Sequence, residues 1–348
     1  MKREQVLQAI QSLHELFIAL GDNKFDTSKT NRFTQKEFTD FSILIQQQKN
    51  YNGWFIEENV RKAFLELAFM IDPDKVKDWI QNFSFSENPI RVLIIMAGNL
   101  PLVGFHDLLC VISSGNKAIV KLSSEDSTLL PKIITWLASI HPKIQDVISI
   151  EFGLIKNIEA VIATGSDNAN LHFEKYFGHV PRLFRKNRTS IAILTGSESK
   201  EQLELLGSDI FSYFGKGCRN VTFLLIPIDY NLNSFFESIV SYGEIIHNKK
   251  YGNNYDYNRA IHLLNQENVL DNNFVLLKES SMLFSPISLI HYHRYLDDNE
   301  LQSILTLNKE NIQVIVGSNF IPFGDSQKPS LTDYADGINT MAWLEGLT

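Results

Sequence analysis

Val92-Leu93-Ile94-Ile95-Met96-Ala97-Gly98-Asn99-Leu100-Pro101 runs five apolar residues into alanine, glycine, asparagine, leucine and proline. An apolar run this short, closed by turn residues, reads as a β-strand followed by a tight loop. It opens an alternation. A helical pattern near Val103–Ser114 is followed by the strand Ala118-Ile119-Val120-Lys121 and a helix around Ser127–Ile140. The strands Val147-Ile148-Ser149-Ile150 and Ala160-Val161-Ile162-Ala163 come next. Strands alternating with helices predict a parallel, doubly wound α/β sheet, whose ligands sit at the carboxyl ends of the strands. The residues to read there are Gly98-Asn99-Leu100-Pro101, Lys121-Leu122-Ser123-Ser124-Glu125 and Thr164-Gly165-Ser166. Taken singly, each is ordinary loop punctuation. No G-x-G-x-x-G fingerprint occurs.

Upstream of this region the chain reads as helical. Val6, Ile10, Leu13, Phe17 and Leu20 recur at helical spacing, with Gly21 as the expected stop. Thr34 and Glu37 form a capping-box pattern ahead of Phe38, Phe41, Leu44 and Ile45. A third run, Val60, Phe64, Leu67, Ala68 and Ile71, is closed by Asp72-Pro73. The aromatics Trp54, Phe55 and Trp79 read as core. Downstream, a second α/β stretch begins at Ile191-Ala192-Ile193-Leu194. It continues through the strand Val221–Ile226, helices near Ser234–Tyr242 and Asn258–Asn265, and the strands Phe274–Leu277 and Ser288–Tyr292. His291-x-His293 has no carboxylate or cysteine near it in sequence, so no metal site is expected.

At 348 residues the chain exceeds what one core usually organises, and two packed domains are expected. A composition of 44% hydrophobic and 21% charged residues fits a globular protein. A net charge of −8 without any basic block argues against a general nucleic-acid surface. No apolar run approaches bilayer length and no signal-peptide core follows Met1, so a cytoplasmic protein without a membrane span is expected. Two cysteines make no disulfide framework and no zinc spacing.

The two cysteines differ. Cys110 lies in the apolar run Leu108-Leu109-Cys110-Val111-Ile112, as a small hydrophobe would. Cys218 lies in Tyr213-Phe214-Gly215-Lys216-Gly217-Cys218-Arg219-Asn220-Val221, a glycine-lined turn before an apolar strand. Glycines let backbone and substrate approach closely, and Arg219 beside the thiol is expected to favour the thiolate.

In order, Asn99-Leu100-Pro101-Leu102-Val103-Gly104-Phe105, then Gly115 to Ser123, Thr164-Gly165-Ser166, Gly215-Lys216-Gly217-Cys218 and Leu283-Phe284-Ser285-Pro286 resemble the signatures of the aldehyde dehydrogenase superfamily. The context of Cys218 and the tail Ser330-Leu331-Thr332-Asp333-Tyr334-Ala335-Asp336-Gly337 resemble the bacterial acyl-CoA reductase family, relatives of the fatty-acid reductase of bioluminescence. The likeness runs from about Arg91 onward. It implies an aldehyde-dehydrogenase-like fold: a helical N-terminal segment over 1–84, a Rossmann-like nicotinamide-cofactor domain over 85–197, an α/β catalytic domain over 198–316 and a C-terminal return segment over 317–348.

The resemblance implies that Cys218 is the nucleophile and that Asn99, with the Cys218 backbone N–H, stabilises the oxyanion. It also implies that Lys121, Ser123, Ser124, Gly165 and Ser166 hold the adenosine half of the cofactor. Three departures stand out. No carboxylate occurs over Arg182–Arg188, where the superfamily keeps its water-activating glutamate. Met282 stands where a ribose-gripping glutamate is usual. Ser124 stands where an acid binds ribose, and that absence favours NADPH over NADH.

The activity so implied is reduction of an acyl-CoA to an aldehyde through a thioacyl-Cys218 enzyme. The implied partners are acyl-CoA, an acyl-transferring protein and further copies of the chain in a homo-oligomer. Oxidation of an aldehyde to a free acid, and a non-catalytic acyl-binding protein of the same fold, are the alternatives.

Overall fold

The structure is a computed structural model that describes residues 1–26, 32–153, 155–165 and 167–347. The chain forms two compact units, Met1–Asn187 with Lys328–Thr348, and Arg188–Gln327.

The first unit opens with four helices, α1 (Arg3–Asp22), α2 (Gln35–Tyr51), α3 (Glu57–Met70) and α4 (Pro73–Ile80). The capping box of α2 forms as read: Thr34 Oγ1 accepts from Glu37 N, and a Glu37 carboxylate oxygen accepts from Thr34 N. Gly21 does not end α1. The helix continues to Asp22, and Asn23 takes the left-handed position beyond it. Gly21 is instead an interior contact, because a Cβ there would meet Leu65 Cγ of α3 at 2.4 Å. Asp72-Pro73 closes one helix and starts the next: Asp72 accepts from Lys75 N, and Pro73 occupies the first turn of α4. Phe17 packs its ring on Phe64 at 5.2 Å and on Phe105 at 5.3 Å, which ties these helices to the sheet layer.

The sheet layer alternates β1 (Arg91–Ile95), α5 (Phe105–Ser113), β2 (Lys117–Lys121), α6 (Leu129–Ile140), β3 (Ile148–Ile150), β4 (Ala160–Thr164), α7 (Asp167–Phe177) and β5 (Arg182–Arg185). All five strands are parallel, in the order β3-β2-β1-β4-β5. Val92, Leu93 and Ile94 are buried, as a strand covered on both faces requires. The order reverses at β1, which makes the carboxyl end of that strand the switch point where such sheets bind ligands. β5 is an element the sequence reading did not place.

The second unit contains β6 (Thr189–Ile193), α8 (Lys200–Phe211), β7 (Val221–Pro227), α9 (Leu232–Ser238), α10 (Lys249–Leu264), β8 (Leu270–Asp271), β9 (Leu276–Glu279), β10 (Leu289–Tyr295), α11 (Asp298–Asn308) and β11 (Ile312–Val316). Its six strands run β11-β6-β7-β10-β9-β8, parallel except for the β8/β9 pair. The core between sheet and helices is built from residues such as Leu206, Ile210, Leu224 and Phe235. A last helix, α12 (Thr340–Glu345), belongs to the first unit.

These limits differ from the sequence-based ones at three places. Residues 1–84 share a unit with the first sheet. β6 pairs with β7 and β11, so the second unit starts at Arg188 and not at 198. The return to the first unit begins at Lys328 and not at 317, because Asp209 of α8 holds the backbone N–H groups of Gly324 and Ser326 at 2.7 and 3.0 Å. Beyond that point Leu331, Tyr334 and Ala335 accept hydrogen bonds from His106, Trp79 and Arg185.

Candidate active site

Cys218 is exposed in the turn between α8 and β7, whereas Cys110 is buried on α5. Burial, followed by the charge of Asp107, pushes the Cys110 thiol well up. The Cys218 turn is built by Asn220, a fully buried side chain. Its Nδ2 donates toward the carbonyls of Asp209, Ile210 and Ser212 at 3.1, 3.2 and 2.8 Å, and its Oδ1 accepts from Gly217 N at 2.8 Å. Asn220 N also donates to Gly217 O at 3.0 Å, and Ser190 Oγ donates to Cys218 O at 2.9 Å. The backbone of the Cys218 turn is thus pinned at Gly217, Cys218 and Asn220.

Ahead of the turn, Tyr213, Phe214 and Gly215 are all left-handed, with φ of 53°, 61° and 74°. For glycine this is free, but for two buried aromatic residues it is strained backbone that the surrounding contacts must enforce. Such strain gathers at functional loops. Arg219 Nε donates to the Ser326 carbonyl and so holds the turn to the loop of residues 317–327. The role of Asn220 is not legible from the sequence. Its three carbonyl partners lie eight to eleven residues upstream, so only an asparagine between a cysteine turn and an apolar strand was visible.

In the first unit, the loops after β1 and β2 are pressed together. A Cβ on Gly98 would meet Ser123 Oγ at 2.5 Å, Ser123 Cβ at 2.8 Å and Glu125 Cβ at 2.9 Å. Met96 N donates to Lys121 O at 3.0 Å. Asn99 is half-buried in its loop, Ser123 is half-buried beside Gly98, and Lys121 and Ser124 are exposed. Gly165 directly follows β4, with Ala169 and Phe173 of α7 where a Cβ would stand. Ser166 lies outside the described residues. Asp126 was not singled out from sequence, yet its buried carboxylate accepts from Leu102 N at 2.7 Å and joins the two loops.

Over Arg182–Arg188, where the resemblance implies a water-activating glutamate, β5 ends in Arg185. This guanidinium is buried and donates to Asp107 at 2.7 Å, to Thr340 Oγ1 at 2.7 Å and to the Ala335 carbonyl at 2.9 Å. Burial works against its charge, but the Asp107 carboxylate outweighs that and raises its pKa. Lys186 N donates to Asp336. The two histidines of His291-x-His293 go separate ways, His291 to the Met282 carbonyl and His293 to Glu300. Among the described residues no cluster of histidine, cysteine or carboxylate could hold a metal, and no helix is long and apolar enough to cross a membrane.

A Rossmann-like parallel sheet joined in the chain to a second, mostly parallel sheet with an exposed cysteine turn just ahead of its strand β7 is the fold of aldehyde dehydrogenases. An NAD-dependent aldehyde dehydrogenase from Sinorhizobium meliloti is similar with a TM-score of 0.64 and 10% identity, over 91% of this chain and 70% of that one. Aldehyde dehydrogenase C from Pseudomonas syringae, solved as a variant with NAD+ and octanal, matches with a TM-score of 0.62 and 12% identity, over 91% and 72%. An NADP-dependent enzyme from E. coli matches with a TM-score of 0.63 and 11% identity, over 91% and 73%. No protein-family model and no curated protein sequence matches the chain. At such identities the likeness establishes the fold.

Proposed function

We propose that this protein is an oxidoreductase that reduces an acyl thioester, in the first place an acyl-CoA, to an aldehyde through a thioacyl-Cys218 intermediate. The observation that carries the reading is the contrast between the cysteines: Cys218 is exposed on a turn fixed by a buried asparagine, and Cys110 is buried in a helix. In this reading the Cys218 thiolate attacks the thioester carbonyl, and the carbon–sulfur bond to the carrier breaks. The carrier thiolate departs with a proton from solvent. Asn99 and the Cys218 backbone N–H are assigned the hydrogen bonds to the developing oxyanion.

The first unit suits a dinucleotide. Its parallel order reverses at β1, and the missing side chain of Gly98 lets the two strand-end loops close on each other at that switch point, where a Cβ would force Ser123 away. Lys121, Ser123, Ser124, Gly165 and Ser166 are the residues assigned to hold it. A bound nicotinamide would supply the hydride that converts the thioester to aldehyde and frees the Cys218 thiolate. NADPH is favoured by Ser124. The exposed Glu125 beside it is the acid whose influence would favour NADH, so a comparison of the two cofactors decides that point.

Reduction is favoured over hydrolysis by Arg185 and its neighbours. A thioacyl enzyme hydrolyses quickly when a positioned base activates water, and the end of β5 offers a paired arginine in that place. The test is to incubate the protein with labelled acyl-CoA and read its intact mass with and without NADPH. One acyl adduct is expected, lost in Cys218→Ala, kept in Cys110→Ala, stable without cofactor and discharged as aldehyde with it. An adduct that survives Cys218→Ala, or rapid release of free acid without NADPH, overturns the reading.

A further inference from the structure

Asp126 sits in the loop after β2 and is 7% exposed. One carboxylate oxygen accepts from Leu102 N at 2.7 Å, and the other, Oδ1, is buried with no hydrogen-bond partner among the described residues. Asp126 N donates to Ser123 O, and Glu125 N donates to Ser123 Oγ. The same short segment therefore shapes the Ser123 corner and reaches across to Leu102. Leu102 is itself buried in the left-handed region, with φ of 56°, a conformation a leucine holds only when its surroundings impose it. It lies three residues after Asn99, in the loop whose Gly98 is packed on Ser123.

We infer that Asp126 is the positioning residue of the Asn99 loop, and that its ionisation sets how readily that loop opens. The inference rests on the proposed reading only where it concerns Asn99 as an oxyanion donor; the latch itself stands on geometry. No ionisable side chain occurs between Met96 and Gly104, so none in the opposing loop answers the Asp126 charge. On its own loop, Lys121 and Glu125 are exposed. Gln48 and Asn52 at the end of α2 reach this corner as neutral groups, bonding Thr128 and the Glu125 carbonyl, while Lys49 of that helix is exposed and Lys132 of α6 lies over Phe41. Burial, only partly offset by the Leu102 N–H, pushes the carboxyl up from 3.8 to about 6.

The direction follows from linkage. In the closed loop the carboxyl has the raised pKa, and in an opened, hydrated loop it returns toward its ordinary value. The closed form therefore binds the proton more tightly: it is fully favoured below the ordinary carboxylate range and loses that advantage as pH rises through about 6. Two pKa units correspond to about a 100-fold change in the opening equilibrium between the acid and alkaline limits, of which about tenfold falls between pH 5 and pH 8. At neutral pH the ionised Asp126, with one oxygen unanswered, keeps the loop poised to open, and acid latches it.

Amide hydrogen exchange of the free protein tests this without substrate or cofactor. After correction for intrinsic chemical rates, protection over residues 97–104 is expected to fall about tenfold from pH 5 to pH 8, while β4 stays level. In Asp126→Asn, which carries no charge, the pH dependence is expected to vanish. A flat wild-type profile, or an equal slope in Asp126→Asn, overturns the latch. If that variant does not fold, carbon-13 detection of the Asp126 carboxyl in the wild type serves instead, and titration near 4 rather than near 6 overturns it. Failure of Cys218 to be acylated would sink the proposed reaction and leave these outcomes unchanged.

Discussion

Replacing Asn220 by alanine is expected to loosen the Cys218 turn more than any other single change there. The side chain is fully buried, supplies two N–H donors to three carbonyls, and accepts from Gly217 N. The two 2.8 Å bonds, to Ser212 O and from Gly217 N, lose most. Each buried group left without a partner costs about 1–3 kcal/mol, so Asn220→Ala should lose about 3–5 kcal/mol from the second unit. That is a large fraction of the ~5–15 kcal/mol by which domains are stable.

Asn220→Asp sharpens the argument. The new carboxylate can still accept from Gly217 N, but its other oxygen then faces three carbonyl oxygens. Its folded pKa must rise above the unfolded one, so the variant's stability is greatest at acid pH and falls as pH rises through the folded value. Urea unfolding followed by far-ultraviolet circular dichroism at pH 5 and pH 8 measures both variants, and iodoacetamide labelling of Cys218 reports on the turn. A loss below ~1 kcal/mol in Asn220→Ala, or an Asn220→Asp variant indifferent to pH, would refute the account of how the turn is built.

Gly98→Ala should destabilise the first unit by about 1–3 kcal/mol through overpacking and weaken nucleotide binding, because the new methyl meets Ser123. Adding Ser123→Gly should restore part of both, and thermal unfolding with dinucleotide titration checks it. Arg185→Met should cost about 3–5 kcal/mol by leaving Asp107 buried and unpaired, and a compensating Asp107→Leu should recover much of it. The double variant failing to improve on Arg185→Met would show that the pair itself is not the source of the loss.

Local chemistry made much of this protein legible from its sequence. The strands β1, β2 and β4 are short apolar runs closed by turn residues, and the α2 capping box needs only residues three apart. The same holds for the contrast between Cys218 and Cys110, since glycines around one and apolar neighbours around the other are set within a few residues. α10 was read short, from Asn258 to Asn265, because only Tyr251, Tyr255 and Asn258 of its sixteen residues are buried and its apolar period is faint.

What tertiary structure decided are the places where a residue's neighbours lie far along the chain. Arg182-Leu183-Phe184-Arg185 shows in sequence only basic residues without a carboxylate, and the fold alone brings Asp107, 78 residues away, to pair with the buried Arg185. Gly21 reads as a helix stop because nothing local shows Leu65 pressing on it. Asp126 reads as an ordinary loop acid, and only the folded loop places it under Leu102 N–H with its second oxygen shut away from water. Burial of a charge or a polar group depends on a partner that pattern and spacing do not reveal, and so the groups that tune this site are ones only the fold could expose.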